Sequence, residues 1–565
     1  MSLFAPARPR WYAIPAHRPF LDDLARGLAD ELLARGGPEA LADALVLVPT
    51  RRGARALADA FVRAGEGRAL LLPQIRALGD LDEGEPPFEP GDLALDLPPA
   101  IEPLQRRFEL ARLVASQGAL FGREPDAADA LRWGDALAAF LDSAEIEETT
   151  ASFDRLATLV EGDLARHWRV SAEVLQTAAQ AWPARLAELG LIDVAERRTR
   201  LLRRLGEQWR ARPPERPLIA AGSTGTAPAT ADLLAAIAEA PRGAVVLPGL
   251  DPDLADEAWA EVSWAHPQGA LKRLLDGARI ARGEVRTWPA SESGAARRAG
   301  RARRRVVNEA LRPAEKTGDW RDQIAKLRAE AGPGDPDPIR LGLEGLAHVS
   351  ARSEDEAATV AALALREALE TPGKTAALVT PDPVLARRVA AKLARFGLQA
   401  DSSAGAPLAG FPVGRLLHLA ALAAGDPLSP VEMLALLKHP LTRLGWERDA
   451  LRDARRTLER HGLRGPRPHD LDGLRLRLAP EPDRDREPAP PEQVAARAAA
   501  ADLAAAHLRA LEPLRAAFAS GACDAGRAAR ALAETVEGYA RDAAGDTGEL
   551  WGGAGARRRR SWWRA

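Results

Sequence analysis

Short aliphatic runs alternate with amphipathic stretches through the first part of the chain. The aliphatic runs occupy residues 11–15, 45–48, 69–72, 217–221 and 244–248. Runs this short and this apolar are typical of strands buried on both faces of a parallel sheet. Amphipathic stretches predict helices at residues 20–35, 51–64 and 229–240. The alternation predicts an α/β fold in which helices cover a parallel sheet.

The rest of the chain has a mostly helical pattern. From residue 101 to residue 209, apolar residues recur at helical spacing almost throughout, which predicts a large helical insertion between two pieces of the sheet. The Gly/Pro-rich residues 332–338 predict a domain boundary. A second α/β unit is predicted after it, with a strand at residues 376–380. Beyond residue 412 the pattern is helical and rich in alanine.

Composition limits the function classes. The 565 residues carry a formal net charge of −2, so the chain lacks an overall basic signature and any surface for nucleic acid must be local. The single cysteine, Cys523, excludes an intrachain disulfide framework and any multi-cysteine metal or iron–sulfur site. No apolar stretch approaches the length of a membrane span. We expect a cytoplasmic globular protein with no membrane partner.

The strand at residues 45–48 ends in a Pro-Thr pair and leads into an arginine-rich helix. Ligands of open α/β sheets bind at the carboxyl ends of the strands. A hydroxyl from Thr50 and guanidinium groups from Arg51, Arg52 and Arg55 would suit the phosphate backbone of a nucleic acid there. The alternative is an ordinary strand-to-helix turn with solvated arginines.

Two segments could be mistaken for phosphate-binding loops. Residues 373–375 read Gly-Lys-Thr, but a helix precedes them and a strand is predicted after them, which is the reverse of the order that such a loop requires. Residues 14–22 have the correct strand–loop–helix placement, but they lack the glycines and the lysine that surround a triphosphate. Neither segment predicts an ATP site.

Residues 222–226 form a Gly-Ser-Thr-Gly-Thr turn between a strand and a helix. Ser223 and Thr224 could contact phosphate there, although glycine and threonine are also normal in a tight turn. A nucleotide hydrolase would need acidic residues to hold Mg²⁺, and none occurs between Leu218 and Thr230. A free-standing α/β enzyme that binds a nucleotide or a phosphorylated ligand at this turn remains the alternative function.

Two further basic segments could contact a phosphate backbone or could be solvated helix faces. Residues 266–273 open an amphipathic helix with Lys272 and Arg273 side by side. A nine-residue stretch holds six arginines: Arg297, Arg298, Arg301, Arg303, Arg304 and Arg305. A protein that neutralises several phosphates in this way would bind with a steep salt dependence.

The order of these features resembles AddB, the double-strand break repair subunit of AddAB helicase–nucleases, in its alphaproteobacterial form. The resemblance runs from about residue 11 to residue 551, and residues 222–230 and 371–405 are its most specific segments. It implies a fold similar to superfamily 1 helicases of the UvrD/Rep type, with two RecA-like parallel-sheet units and large helical insertions.

The resemblance also implies roles for the candidate segments. Residues 49–52 match the place where such helicases contact the single strand, residues 222–225 the place of their Mg²⁺-binding Asp-Glu pair, and residues 14–22 the place of their phosphate loop. Both ATP elements are missing here, which implies a helicase fold without its motor. The nucleic-acid contacts expected are Thr50, Arg51, Arg52, Arg55, Ser223, Thr224, Lys272 and Arg273.

In the family, AddA supplies ATP-driven translocation, and AddB contributes DNA-strand binding and a C-terminal nuclease domain. That nuclease uses a divalent metal and a cysteine-ligated iron–sulfur cluster. Only Cys523 is present here, and the composition changes abruptly at residues 552–565, so we expect a chain truncated before the nuclease. A genuine basic tail that binds DNA is the alternative for those last residues.

The expected organisation combines the pattern with the resemblance. The expected segments are 1–100 and 213–290 for RecA-like domain 1, 101–212 for the helical insertion, 291–340 for a basic bridge, 341–411 for the start of a second RecA-like domain, 412–551 for a helical region and 552–565 for an aberrant basic tail. The expected partners are AddA and single-stranded or duplex DNA ends. The chain is expected to contain no cofactor, and it shows no intact ATPase or nuclease motif.

Overall fold

A computed structural model gives the fold of two compact units, Met1–His348 and Val349–Ala565, which are described separately. The structure describes residues 3–5, 7–78, 96–116, 125–149, 175, 177, 180–292, 297–329, 336–405, 407–479, 489–521 and 523–551. Several segments that the sequence predicts fall outside these residues. They are a helix at 152–168, most of an acidic, Pro-rich loop at 79–99, a charged, Pro-rich loop near 480–491 apart from its last residues, and the basic tail at 552–565.

A six-stranded, fully parallel sheet forms the centre of the first unit, with strand order β3-β2-β4-β5-β1-β6. The strands are β1 (Trp11–Ile14), β2 (Leu45–Val48), β3 (Gln74–Ala77), β4 (Leu218–Ala221), β5 (Gly243–Pro248) and β6 (Arg286–Thr287). All residues of β1, β2 and β4 are buried, as are all but the last of β5, which explains why the four inner strands read as unbroken aliphatic runs.

Helices surround this sheet. They are α1 (Phe20–Ala42), α2 (Arg51–Ala64), α3 (Pro103–Ser116), α4 (Ala127–Ile146), α5 (Val194–Ala211), α6 (Pro228–Glu239), α7 (Asp256–Ala260), α8 (Gly269–Ala278), α9 (Arg297–Ala310), α10 (Trp320–Ala329) and α11 (Pro338–Leu343). Helix α1 extends seven residues beyond the predicted end, with a break at Gly37, whose φ of 70° a non-glycine residue rarely adopts. Helices α3 to α5 lie between β3 and β4 in the chain.

The sheet separates two apolar layers. On one face, α5, α6 and α8 cover the sheet through residues such as Leu202, Leu233 and Leu274. On the other face, α1 and α2 cover it through residues such as Leu24 and Phe61. The alternating faces of each buried strand supply both layers, which is the arrangement of a doubly covered parallel sheet.

Trp288 ties the last strand of the sheet to the first helix. Its indole is fully buried, stands edge-on to Tyr12 with ring centres 5.5 Å apart, and donates from Nε1 to the carbonyl of Asp23 at 2.8 Å. Gly27 of α1 lies directly beneath the indole, because a Cβ at this position would come within 2.4 Å of Nε1. The close approach of helix and indole therefore requires glycine.

Changing Gly27 to alanine is expected to lower the free energy of unfolding of the first unit by about 1–3 kcal/mol, since a methyl group would push the indole from its site. Urea denaturation would measure this loss. Gly277 of α8 gives a matched control: a Cβ there meets nothing within 4 Å. Alanine at 277 should stabilise the helix by about 0.5–1 kcal/mol, and equal effects at the two glycines would contradict the packing described.

In its described residues the second unit is helical throughout. Its helices are α12 (Glu354–Leu369), α13 (Pro383–Ala394), α14 (Pro412–Gly425), α15 (Pro430–Leu437), α16 (Arg448–Thr457), α17 (Leu471–Leu478), α18 (Pro491–Ala517), α19 (Ala525–Ala540) and α20 (Gly548–Trp551), with a short π-helix at Leu458–Gly462. Helix α18 runs through the core of the unit. Ser353 caps α12 by accepting from the amide of Glu356 at 3.2 Å, as the predicted capping motif requires.

A buried polar pair joins α18 to α19. His507 is fully buried; its Nε2 lies 2.8 Å from the carbonyl of Pro427 and its Nδ1 lies 2.7 Å from the hydroxyl of Tyr539. A carbonyl can only accept, so Nε2 carries the proton and Nδ1 accepts from the tyrosine. Burial lowers the pKa of His507 to about 4 and raises that of Tyr539.

Two sequence predictions of strands are wrong. The third strand lies at Gln74–Ala77 rather than at residues 69–72, because the edge of the sheet is occupied by alternating exposed and half-buried residues instead of an aliphatic run. Residues 376–380 form no strand, and Val379 is 94% exposed. The expected second parallel sheet is therefore not formed by the described residues, which offer this run no strand with which to pair.

The division between the units also differs from expectation. The chain separates between residues 348 and 349, and the predicted boundary at residues 332–338 lies partly outside the described residues. The sequence predicts Gly373 as the carboxyl cap of the helix that precedes it. The cap residue of α12 is instead Glu370, and Gly373 lies three residues beyond it in a turn with a φ of 77°.

Candidate nucleic-acid interface

The loops that follow four strands meet at the carboxyl edge of the sheet. Gly222, directly after β4, packs between two of them: a Cβ there would lie 3.4 Å from Phe20 and 3.6 Å from Pro49. Gly249, after β5, packs on Ala16 of the loop after β1 at a similar distance. Both glycines have positive φ values, 81° and 64°, so the turns depend on them. The edge is a continuous row of loops.

Helix α2 begins at this edge with a cluster of cations. Thr50 caps the helix, and its Oγ1 accepts from the amide of Gly53 at 3.0 Å. The side chains of Arg51, Arg52 and Arg55 are all exposed. The first turn of the helix itself contains no acidic residue. This is an exposed positive surface at the amino end of a helix, whose dipole adds to the attraction for an anion.

The turn after β4 lies beside this cluster, because β4 pairs with β2. Ser223 and Thr224 are half-buried. The Ser223 hydroxyl accepts from the amide of Gly225 at 3.3 Å, and the amide of Gly222 donates to the carbonyl of Val246 at 3.0 Å. Two backbone donors of the turn therefore already have acceptors within the chain, so the turn has fewer donors for a phosphate.

The loop after β1 is held by a buried ion pair. Arg18 donates from Nε and Nη2 to the two oxygens of Asp23, at 2.7 and 2.9 Å. The Asp23 side chain is fully buried, and it also accepts from the Ser291 hydroxyl at 2.8 Å. The hydrogen bonds that Arg18 donates to this carboxylate raise the pKa of Arg18. Arg18 therefore acts as a structural cation within the loop.

Helix α9 packs against the same loop. A Cβ on Gly300 would come within 2.7 Å of the His17 ring, so helix and imidazole are in direct contact. Burial lowers the pKa of His17, and the nearby guanidinium groups of Arg304, Arg18 and Arg301 lower it further. Helix α9 therefore packs on the loop after β1, the loop that has the sequence position of a phosphate-binding loop.

Residues 266–268 connect the loop after β5 to both α8 and the end of α9. Gln268 accepts at Oε1 from the amide of Asp251 at 3.0 Å and donates from Nε2 to the carbonyl of Gly249 at 3.1 Å. His266 accepts at Nδ1 from the Gln268 amide, so its Nε2 donates to the carbonyl of Leu311, 2.8 Å away. Burial raises the pKa of Asp251. The His-Pro-Gln segment therefore holds the loop after β5 and the end of α9 together.

The two cations predicted on α8 have different surroundings. The Lys272 ammonium lies 2.6 Å from the carbonyl of Ala260 and 3.4 Å from that of Val262, at the carboxyl end of α7. Arg273 is exposed. Leu274 next to it packs under the β4 turn, where a Cβ on Gly225 would come within 2.7 Å of its Cδ1. Helix α8 is thus adjacent to the edge, but Lys272 already has two acceptors.

The structure brings six of the eight predicted contacts to the carboxyl ends of β2 and β4: Thr50, Arg51, Arg52, Arg55, Ser223 and Thr224. Lys272 and Arg273 lie on the neighbouring helix. The sequence reasoning missed the ion pair between Arg18 and Asp23 and the contact of α9 with His17. Spacing along α1 offered a weak signal for the first, since Asp23 sits on the helix that follows the loop.

Among the described residues, no three His, Cys, Asp or Glu side chains are grouped so that they could hold a metal ion. No helix in the same residues combines the length and the apolar character that a bilayer crossing needs. No model of a known protein family matches the chain, and comparison with curated proteins finds no relative.

Proposed function

We propose that this chain is a helicase-like, DNA-binding subunit of the AddB kind, acting with an AddA partner on the ends of double-strand breaks. It binds a single strand at the carboxyl ends of β2 and β4. The observation that carries the proposal is the exposed cluster of Arg51, Arg52 and Arg55 beside Thr50 at the start of α2. Planar guanidinium groups at a helix amino terminus match the chemistry of phosphate oxygens.

Contacts of this kind position a nucleic acid without reading its sequence. The local charge also explains how a chain with a net charge of −2 could bind a polyanion, since only the edge needs to be basic. Ser223 and Thr224 lie next to the arginines and offer hydroxyl groups to the same backbone. The binding energy would come mainly from phosphate contacts and would fall with salt.

The proposal assigns ATP hydrolysis to the partner subunit. Residues 14–22 supply no glycine-rich loop, Arg18 is paired with Asp23, and α9 packs on His17 of the loop after β1. A separate observation weighs against the alternative, an enzyme that binds a phosphorylated ligand at residues 222–226. The amides of Gly222 and Gly225 in this turn already have acceptors within the chain. The DNA contact therefore has the better support.

Reversing the charge of Arg51 and Arg52 together is expected to weaken binding of a single-stranded oligonucleotide by about tenfold or more. Removing two phosphate contacts should also reduce the slope of log affinity against log salt by about 1.4, since each contact on a single strand contributes about 0.7. Fluorescence anisotropy with a labelled twenty-nucleotide oligomer at several salt concentrations measures both quantities. Small phosphorylated compounds in the same assay test the alternative enzyme.

The matched control reverses Arg387 and Arg395, two exposed arginines of α13 and its carboxyl end in the second unit. This variant changes the net charge by the same amount and should keep the wild-type affinity. Equal losses in the two variants would mean that total charge, rather than the α2 cluster, governs binding. Absence of DNA binding by the wild-type chain would overturn the proposed function.

A further inference from the structure

Helix α9 is an unusually basic helix that its surroundings hold firmly in place. Arg304 pairs with Asp253, with Nε 2.9 Å from the carboxylate, and Arg303 donates from Nε to the carbonyl of Gly342 at 2.9 Å. Ala302 is buried against Gly342 of α11. These contacts, together with Gly300 on His17, fix the orientation of the helix on the sheet-bearing unit.

Two further arginines of α9, Arg298 and Arg301, face solvent. No carboxylate in the described part of the chain lies within ion-pair distance of either. Their i, i+3 spacing places them on one face of the helix, and the half-buried Arg305 lies on the same face. The first turn of α9 holds no acidic residue. Like charges on one face and cations near the amino end both destabilise a helix, so this arrangement favours an anionic partner.

The position of α9 relates it to the proposed DNA contact. Helix α9 packs on the loop after β1, and the α2 cluster follows β2. In the order β2-β4-β5-β1 these strands are three spacings apart, which is about 14 Å at about 4.8 Å each. A stacked single strand places its phosphates about 3.4 Å apart, so about five consecutive phosphates are needed to cover this distance, more than the three that a four-nucleotide oligomer contains.

We propose that the Arg298 and Arg301 face of α9 is a second contact for the same single strand. The strand crosses the carboxyl edge of the sheet from the α2 cluster to α9. This inference rests on the proposed function. It adds a path for the bound strand, which a strand of either polarity can follow, and a minimum length of nucleic acid. A row of phosphates carries the charge that matches both basic surfaces. The regular spacing of the phosphates lets one strand reach from the α2 cluster to α9.

The test compares two double variants of the full chain, Arg298→Glu/Arg301→Glu and Arg51→Glu/Arg52→Glu, with oligothymidylates of four and twenty nucleotides. We expect the α9 variant to bind the twenty-nucleotide oligomer about tenfold or more weakly than wild type, with a salt slope reduced by about 1.4. Its affinity for the four-nucleotide oligomer, which is too short to engage both contacts, should stay within about twofold. The α2 variant should lose affinity for both oligomers.

The outcomes separate this inference from the proposed function. If the α2 variant loses affinity and the α9 variant matches the Arg387→Glu/Arg395→Glu control, the path over α9 is wrong while the proposed function stands. Equal losses for both oligomers in the α9 variant would also overturn the two-contact path. If wild type binds neither oligomer, the proposed function itself fails. The neutral variant Arg298→Gln/Arg301→Gln, with circular dichroism to check folding, repeats the test without reversed charge.

Discussion

Replacing Asp23 with alanine is expected to lower the free energy of unfolding of the sheet-bearing unit by about 3–5 kcal/mol. The carboxylate is fully buried and takes two hydrogen bonds from Arg18, whose side chain is only 9% exposed. Without Asp23 the guanidinium would remain in a site with little access to water, and the Ser291 hydroxyl would lose its acceptor. Urea denaturation followed by circular dichroism measures the change.

The neighbouring residue provides the control. Asp22 pairs with Arg63 at 2.7 Å, but the two side chains are 37% and 59% exposed. Exposed ion pairs contribute about 0–1 kcal/mol, so alanine at 22 should have little effect. Replacing Arg18 and Asp23 together by methionine and leucine should recover much of the loss, because no buried charge is left unpaired and the second partner of Asp23, Arg26, is half exposed. Similar losses at positions 22 and 23 would contradict the structural role assigned to Asp23.

Acidification is expected to destabilise the helical second unit through His507. Burial holds its pKa at about 4, whereas an unfolded chain has a histidine pKa near 6.5. Between these values the unfolded chain binds the extra proton, so the stability from neutral His507 is fully present above pH 6.5 and declines as pH falls toward 4. The difference of about 2.5 between the pKa values corresponds to about 3–4 kcal/mol, at about 1.4 kcal/mol for each pKa unit.

Comparison with the His507→Gln variant isolates this effect. A glutamine amide can donate to the Pro427 carbonyl and accept from the Tyr539 hydroxyl, but it does not titrate. Urea denaturation of both proteins from pH 7 to pH 4.5 gives the difference in unfolding free energy at each pH. The difference should move in favour of the variant as pH falls. A difference that stays constant over this range would mean that His507 does not govern the acid sensitivity.

The sequence pattern predicts the inner strands well and the edges poorly. Strands β1, β2, β4 and β5 are buried, so they read as aliphatic runs. The edge strand β3 contains exposed Gln74 and Arg76. Strand β6 is only two residues long, and both are exposed, so neither edge strand gives an apolar signal. The aliphatic run at residues 376–380 gave a false prediction, because a run specifies a strand only where another strand is available for pairing.

The site residues that the sequence predicts are likewise those whose position depends on local chain order, whereas contacts between distant residues are missed. Thr50 and its arginines could be placed from the sequence, because a strand that leads directly into a helix fixes them at the carboxyl edge. The packing of Gly300 on His17 could not, since the two residues are 283 positions apart and only the folded chain brings them together. Lys272 shows the same limit, because its carbonyl acceptors lie at and just beyond the carboxyl end of α7, and residue spacing alone does not reveal that α7 ends beside Lys272.

The strand order also affects how the protein is made. Strand β1 pairs only with β5 and β6, which the ribosome adds some 230 residues later or more. At synthesis rates of about 5–20 residues per second, the emerging Trp11–Ile14 segment waits roughly 10–50 s for its first partner. The apolar amino terminus is therefore exposed to aggregation and chaperone capture during translation, and the pairings that close the sheet come late.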